Sequence, residues 1–149
     1  MTKKLLVLSA VMMALFLSGC SLLNDAKDTL TYVNDAKDYI DKASAFANDA
    51  PSIAKQAVGD KQATAELKTM LQGMKQEINA FNKLQAPDIA ADLHRQIVDQ
   101  NNKLVAGIDL YLKNIKNGLL DPSVLENTEI FQSVKEITSI LDQIKQLGQ

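Results

Sequence analysis

Three kinds of residue in this chain invite a chemical reading: one cysteine, Cys20, one histidine, His94, and carboxylates that recur in pairs, such as Asp25 with Asp28 and Asp35 with Asp38. A single cysteine cannot form a disulfide within the chain. A catalytic thiol needs a base, and His94 is far away in sequence. A metal site wants several His, Cys or carboxylate ligands converging, and no second ligand stands three or four residues from His94. A histidine at the boundary of a core, making one hydrogen bond, is the competing reading. Acid–base chemistry needs one carboxylate desolvated and its neighbour not, but these aspartates lie among lysines on polar helix faces. There is no phosphate-binding glycine loop, no Gly-x-Ser-x-Gly and no His-Glu-x-x-His. No catalytic residue, metal ligand or cofactor is therefore assigned, and a non-enzymatic protein is expected.

Cys20 gains its meaning from what precedes it. Met1-Thr2-Lys3-Lys4 is a basic start, Leu5 to Phe16 is apolar apart from Ser9, and small residues follow at Ser18 and Gly19. That order is a secretory signal. The apolar run is shorter than the roughly 20 residues that span a bilayer. Leu17-Ser18-Gly19-Cys20 has the form of a bacterial lipobox, with cleavage between Gly19 and Cys20 and a diacylglycerol on the cysteine sulfur. A plain buried cysteine in a signal anchor is the alternative. With two or more acyl chains, such as palmitate, the protein is held stably at a membrane; one chain binds only marginally. The chain then divides into a signal peptide (1–19), a lipidated N-terminus and short tether (20–23) and a folded domain (24–149).

The mature chain is 130 residues long, enough for one domain with a real core. The precursor has 16 basic and 18 acidic residues; without Lys3 and Lys4 the net charge is −4. No basic stripe interleaved with aromatics is present, which argues against nucleic acid as a partner. With no other cysteine, disulfides do not stabilise the domain and its core must, and the absence of tryptophan leaves few stacking platforms for bases or sugars.

The elements that would position these residues are helices. Pro51, Pro87 and Pro122 sit where helices begin, two of them beside an aspartate, and Gly59, Gly118 and Gly148 follow helical patterns. The first helix is expected over about 24–49, with Leu23, Ala26, Leu30, Val33, Ala36, Ile40, Ala43 and Phe46 as its stripe, followed by a short helix over 51–58. The repeat of Asn-Asp-Ala-Lys-Asp at 24–28 and 34–38 is not a whole number of turns and does not indicate a solenoid. Residues 60–84 carry Leu67, Leu71, Met74, Ile78 and Phe81; residues 88–117 carry Ile89, Leu93, Ile97, Leu104, Ile108, Tyr111 and Ile115. After a connector with about one helical turn, Asn127 or Thr128 caps a last helix with Ile130, Val134, Ile137, Leu141 and Ile144. No strand is expected. Four amphipathic helices with short turns bury their stripes as an antiparallel all-α bundle; coiled-coil dimerisation is the alternative. Leu71, Ile78, Leu104, Ile108, Val134 and Leu141 are expected in the core.

Asn101 falls where the stripe from Ile97 to Leu104 calls for an apolar residue. A buried Asn fixes register or partner choice at some cost in stability; the other reading is a position that faces solvent. Arg95 with Asp99, and Asp99 with Lys103, have the spacing of solvated helix pairs. Gly73 and Gly107 interrupt helical patterns, which suggests close helix packing or a hinge.

The segments Leu-Ser-Gly-Cys-Ser-Leu-Leu-Asn (17–24), Tyr-Val-Asn-Asp-Ala-Lys-Asp-Tyr-Ile (32–40), the run from Met74 to Asn101, Gly-Ile-Asp-Leu-Tyr-Leu (107–112) and the ending from Glu136 to Gln149 resemble a family of small lipoproteins of Bacillus and its relatives whose function is unknown. The resemblance covers nearly the whole chain and implies a lipid anchor on the outer face of the cytoplasmic membrane. In a two-membrane bacterium, Ser21 after the cysteine would point to the outer membrane instead. It implies no substrate and no functional residue. Two function classes remain: a membrane-tethered module that binds another envelope protein, and a small-ligand carrier or enzyme with a pocket in the bundle. An exposed apolar strip favours the first; a deep cavity with a few buried polar groups favours the second.

Overall fold

The computed structural model describes residues 19–127 and 129–147, without the side chains of residues 19–26, 141 and 142. The expected signal segment up to Ser18, Thr128 and Gly148, and the side chains of Cys20, Leu22, Leu23, Ala26 and Leu141, lie outside the described part. Helix α1 spans Gly19–Ala57, α2 Lys61–Phe81, α3 Ala91–Lys113 and α4 Glu129–Leu147. Each packs on its neighbours in chain order, and α4 closes the ring against α1. The result is an up-down-up-down bundle in which the stripes meet within one chain.

Helix α1 runs 39 residues without interruption, and Pro51 lies inside it. The break expected after Asp49 does not occur. A proline there removes one backbone hydrogen bond and crowds the preceding turn. What outweighs this is the alanine stripe: Ala36, Ala43, Ala50, Ala54 and Ala57 keep one phase across the proline and are all buried. Their small side chains let α2 and α4 approach α1 closely. Leu30 does not belong to that stripe; it is 51% exposed, and Tyr32 and Tyr39 occupy the inward positions. The segment 20–23 is helical, continuous with the rest of α1.

The Asp60 carboxylate caps α2, accepting from the Gln62 N–H at 2.7 Å. Gly59 turns the chain without a left-handed conformation. Thr64, buried beneath the turn, donates its hydroxyl to the Ala57 carbonyl at 2.8 Å and ties α2 back to the end of α1. At the far end of α2 the chain turns through Asp88–Ala90, a single 3-10 turn, into α3. Ile89 is 63% exposed there, not packed in the core, because Ala90 takes the inward position.

The largest departure from expectation is a β-hairpin. Ile115–Lys116 pairs antiparallel with Leu119–Leu120, in register Ile115 with Leu120. The two residues between, Asn117 (φ 55°) and Gly118 (φ 79°), both have positive φ, as a type I′ turn requires. α3 therefore ends at Lys113, and the hairpin buries Leu120 against the bundle. Pro122–Glu126 forms a second 3-10 turn, capped by Asp121. The Asn127 side chain then accepts from the Glu129 N–H at 3.1 Å and starts α4.

Leu71, Ile78, Leu104, Ile108 and Val134 are all buried in one continuous core. Each such side chain contributes about 1.5–3 kcal/mol relative to exposure. Gly107 brings α3 and α4 together: a Cβ there would lie 3.2 Å from the Ile130 Cβ. Gly73 has nothing within 4 Å of such a Cβ, so no helix packs over it.

Candidate functional site

Two features stand out: a polar and aromatic ladder inside the bundle, and an open groove on its surface. The ladder starts with Asn101, which is fully buried. Its Oδ1 accepts from the Tyr39 hydroxyl of α1. Its Nδ2 donates to Asn82 Oδ1 at 2.7 Å, at the C-terminus of α2. One asparagine thus joins three helices, and its partners satisfy it without solvent. Two turns earlier on both helices, the Tyr32 hydroxyl meets His94 Nδ1 at 3.1 Å. Phe81 stacks between the rungs, 4.4 Å from the Tyr39 ring and 5.0 Å from the His94 ring.

The spacing explains the pairing. Tyr32 and Tyr39 are seven residues apart on α1; His94 and Asn101 are seven apart on α3. Helices α1 and α3 run parallel across the diagonal of the bundle, so equal spacing brings both rungs into contact at once. Burial sets the protonation. It pushes the Tyr32 hydroxyl up to about 12. It raises Tyr39 further, against the opposing hydrogen bond to Asn101 and with a smaller push from the Glu77 charge. It lowers His94, favouring the neutral ring. With its proton on Nε2, that ring accepts the Tyr32 hydrogen bond at Nδ1.

No cysteine, serine or threonine joins the ladder, and Tyr32, Tyr39, Asn82, His94 and Asn101 each hydrogen-bond another of its members. Among the described residues, no buried side-chain nitrogen or oxygen lacks a hydrogen-bond partner, and no three His, Cys, Asp or Glu side chains converge as a metal set. Arg95 pairs with Asp92 on the solvent face instead of Asp99. The i, i+3 partner needs no further turn of helix and leaves both groups hydrated. The geometry of the ladder is that of a positioning element. The chemistry it can do is to exchange one proton at His94.

The groove lies between α1 and α2 and has a volume of about 430 Å³. Its floor is apolar: Phe46 from α1, Met70 and Met74 from α2, and the bare backbone of Gly73. Lys42 and Glu77 bridge one end at 2.7 Å, and Asp49 stands on the α1 rim. A mid-helix glycine is about 1 kcal/mol worse than alanine, so an uncovered Gly73 keeps the groove open at a cost in helix stability. Two flexible thioethers beside it can repack around different shapes.

The cysteine of the expected lipobox sits at the edge of the described part. Gly19 and Cys20 open α1, and the Cys20 sulfur lies outside the described side chains. Among the described residues no helix is long and apolar enough to cross a membrane.

A family model matches residues 32–147, from the first tyrosine of the ladder to the end of α4: "Family of unknown function (DUF6376)". The chain belongs to this family. It is also 34% identical over 131 residues to the uncharacterized lipoprotein YybP of Bacillus subtilis (strain 168), an alignment that covers 88% of each chain. No solved structure matches significantly. The resemblance read from the sequence is thereby confirmed as to family. The family match includes every rung of the ladder and the whole groove.

The sequence singled out His94 as a boundary residue and Asn101 as a polar residue on an apolar stripe, but not their partners. Tyr32, Tyr39 and Asn82 were missed. The matched seven-residue spacings were the available signal. The groove had a weaker one, a glycine between two methionines on a stripe otherwise closed by large side chains.

Proposed function

We propose that this chain is an extracytoplasmic lipoprotein, held to the outer face of the cytoplasmic membrane by acyl chains on Cys20, and that it works as a non-catalytic binding module. The lipobox at 17–20 supports the anchor, as does the likeness to the uncharacterized lipoprotein of Bacillus subtilis. The α1–α2 groove supports the binding role and is the observation that carries it. Its floor is apolar and uncovered at Gly73, its rims are charged, and it runs between two antiparallel helices. An apolar anchor on a helical segment of another envelope protein suits such a trough. The ladder serves this reading by fixing how α1, α2 and α3 sit, and so the shape of the groove.

The test is a photo-crosslinking residue in place of Ala45 on the α1 side of the groove, in intact cells. A captured envelope protein, lost when Gly73→Leu fills the groove, is the expected result. Undiminished capture in the Gly73→Leu protein, with an unchanged melting curve, would remove the groove from consideration. The second reading, a carrier of a small apolar ligand, draws on the groove volume, which falls within the range of ligand pockets. Capture of a small molecule in place of a protein would favour it.

A further inference from the structure

The two ends of the bundle differ. One end holds the start of α1, the end of α2, the connector 82–90, the start of α3 and the end of α4, as the contacts of Tyr32 with His94 and Phe81 establish. The two large hydrophobic side chains exposed among the described residues, Ile89 at 63% and Leu30 at 51%, both belong to this end. The opposite end exposes Asp60, Lys61, Lys116, Ser123 and Glu126 and, among the described residues, no large hydrophobe.

We propose that the Ile89 end of the bundle rests on the bilayer, with Ile89 entering the headgroup interface; this rests on the lipid-anchored reading above. The turn that carries Ile89 is fixed. The Ala90 N–H donates to the Pro87 carbonyl at 2.8 Å, and the Ala90 side chain is buried. Ile89 is thus held outward. The connector 82–90 carries one cation, Lys83, and one anion, Asp88, so no net charge opposes its approach to the lipid. The chain itself brings the bilayer to this end, because α1 starts at Gly19 and the anchored residue is Cys20.

The heights are compatible. Tyr32 and His94 mark a common level. Cys20 precedes Tyr32 by twelve residues of helix, about 18 Å, and Ile89 precedes His94 by five, about 8 Å. Along the axis, Ile89 is then about 10 Å above Cys20, against a headgroup layer of roughly 5–7 Å per leaflet. Tilting the bundle toward its α2–α3 side closes the difference. A second copy is a poorer occupant. Two separated aliphatic side chains fall far short of the ~800 Å² per partner of a stable interface, whereas a bilayer demands no matching shape.

Acylation consumes the Cys20 thiol, so Ile89→Cys provides a unique site for a nitroxide in the lipidated protein. Gly59→Cys, in the turn at the opposite end, provides the control; it needs no strained backbone and meets no neighbour within 4 Å. Both proteins are reconstituted in phosphatidylglycerol–phosphatidylethanolamine vesicles, and collisions with oxygen and with an aqueous nickel chelate are compared. The expected result is an oxygen-to-chelate ratio several-fold higher at 89 than at 59. Equal ratios in protein that pellets with the vesicles would overturn the inference and leave the anchor intact. Protein that fails to pellet would overturn both. Spin–spin broadening at 89 that disappears on dilution with unlabelled protein would assign the patch to a second copy and also overturn it.

Discussion

At the scale of single residues, Asn101 illustrates how unequal the cost of removal is on the two sides of a buried hydrogen bond. Asn101→Leu leaves the Tyr39 hydroxyl buried with no acceptor and Asn82 without its donor. The expected loss is about 2–3 kcal/mol, read from urea unfolding. Adding Tyr39→Phe removes the stranded hydroxyl, so the double variant should be more stable than Asn101→Leu alone. A double variant that is stable yet forms mixed oligomers would show that the asparagine specifies register. His94 makes a second, independent prediction. Burial lowers its pKa below the ordinary 6.5, so the unfolded chain binds the proton more readily. The stability that follows is fully present above about 6.5 and is lost as pH falls through the lower, folded value. The melting temperature should decline in that window, and His94→Gln should flatten this part of the profile. An unchanged slope would mean that His94 titrates as freely folded as unfolded. The position of Asn101 on an apolar stripe was legible in the sequence, whereas its partners were not. Tyr39 and Asn82 are 62 and 19 residues away, and only the packing of three helices decides that they meet.

At the scale of elements, the four helices were legible because their stripes are long and keep one phase. Their ends were less so, in one case because a local rule competed with packing. Pro51 reads as a boundary, yet the alanine face on either side stays in phase and is buried, so α1 continues through it. Pro51→Ala restores a helical hydrogen bond and should stabilise the protein by about 1–3 kcal/mol in chemical unfolding. A neutral or destabilising effect would mean that the proline shapes α1 for its neighbours. The hairpin was missed for the opposite reason: Asn117-Gly118 is a strong turn pair, but its strands are two residues each and carry no alternation to read. Its stability lies in the two positive φ angles. Gly118→Ala should cost about 1–2 kcal/mol, seen as a lower melting temperature, although its Cβ would meet only the Lys61 side chain at 3.5 Å. The cost would come from the backbone, so Gly118→Asn should recover part of it.

At the scale of the whole molecule, the decisive feature is that α1 is one helix over Gly19–Ala57, with Cys20, the anchor point proposed above, at one end and the groove residue Phe46 far along it. A flexible tether would let the bundle sample many heights. A helix narrows that range by fixing the separation: Phe46 lies 26 residues beyond Cys20, about 40 Å along the axis, and the tilt of α1 then sets its height above the lipid. Cys20→Ser would remove the anchor altogether, and fractionation should then find the protein released from the membrane pellet or retained uncleaved with a weaker attachment; equally strong attachment would sink the lipobox. Inserting a long Gly/Ser linker after Ser21 asks a different question, because it keeps the lipid and the bundle while breaking the fixed geometry between them. Its ends would wander over a distance that grows as the square root of linker length, so the groove would no longer be held at one height or orientation. For a partner resident in the membrane, crosslinking yield from the groove should fall, with lipidation and melting temperature unchanged. For a ligand arriving from solution, height and orientation are irrelevant, and the yield should hold. Undiminished crosslinking in the linker variant would therefore turn the reading from a membrane-resident partner to a soluble one.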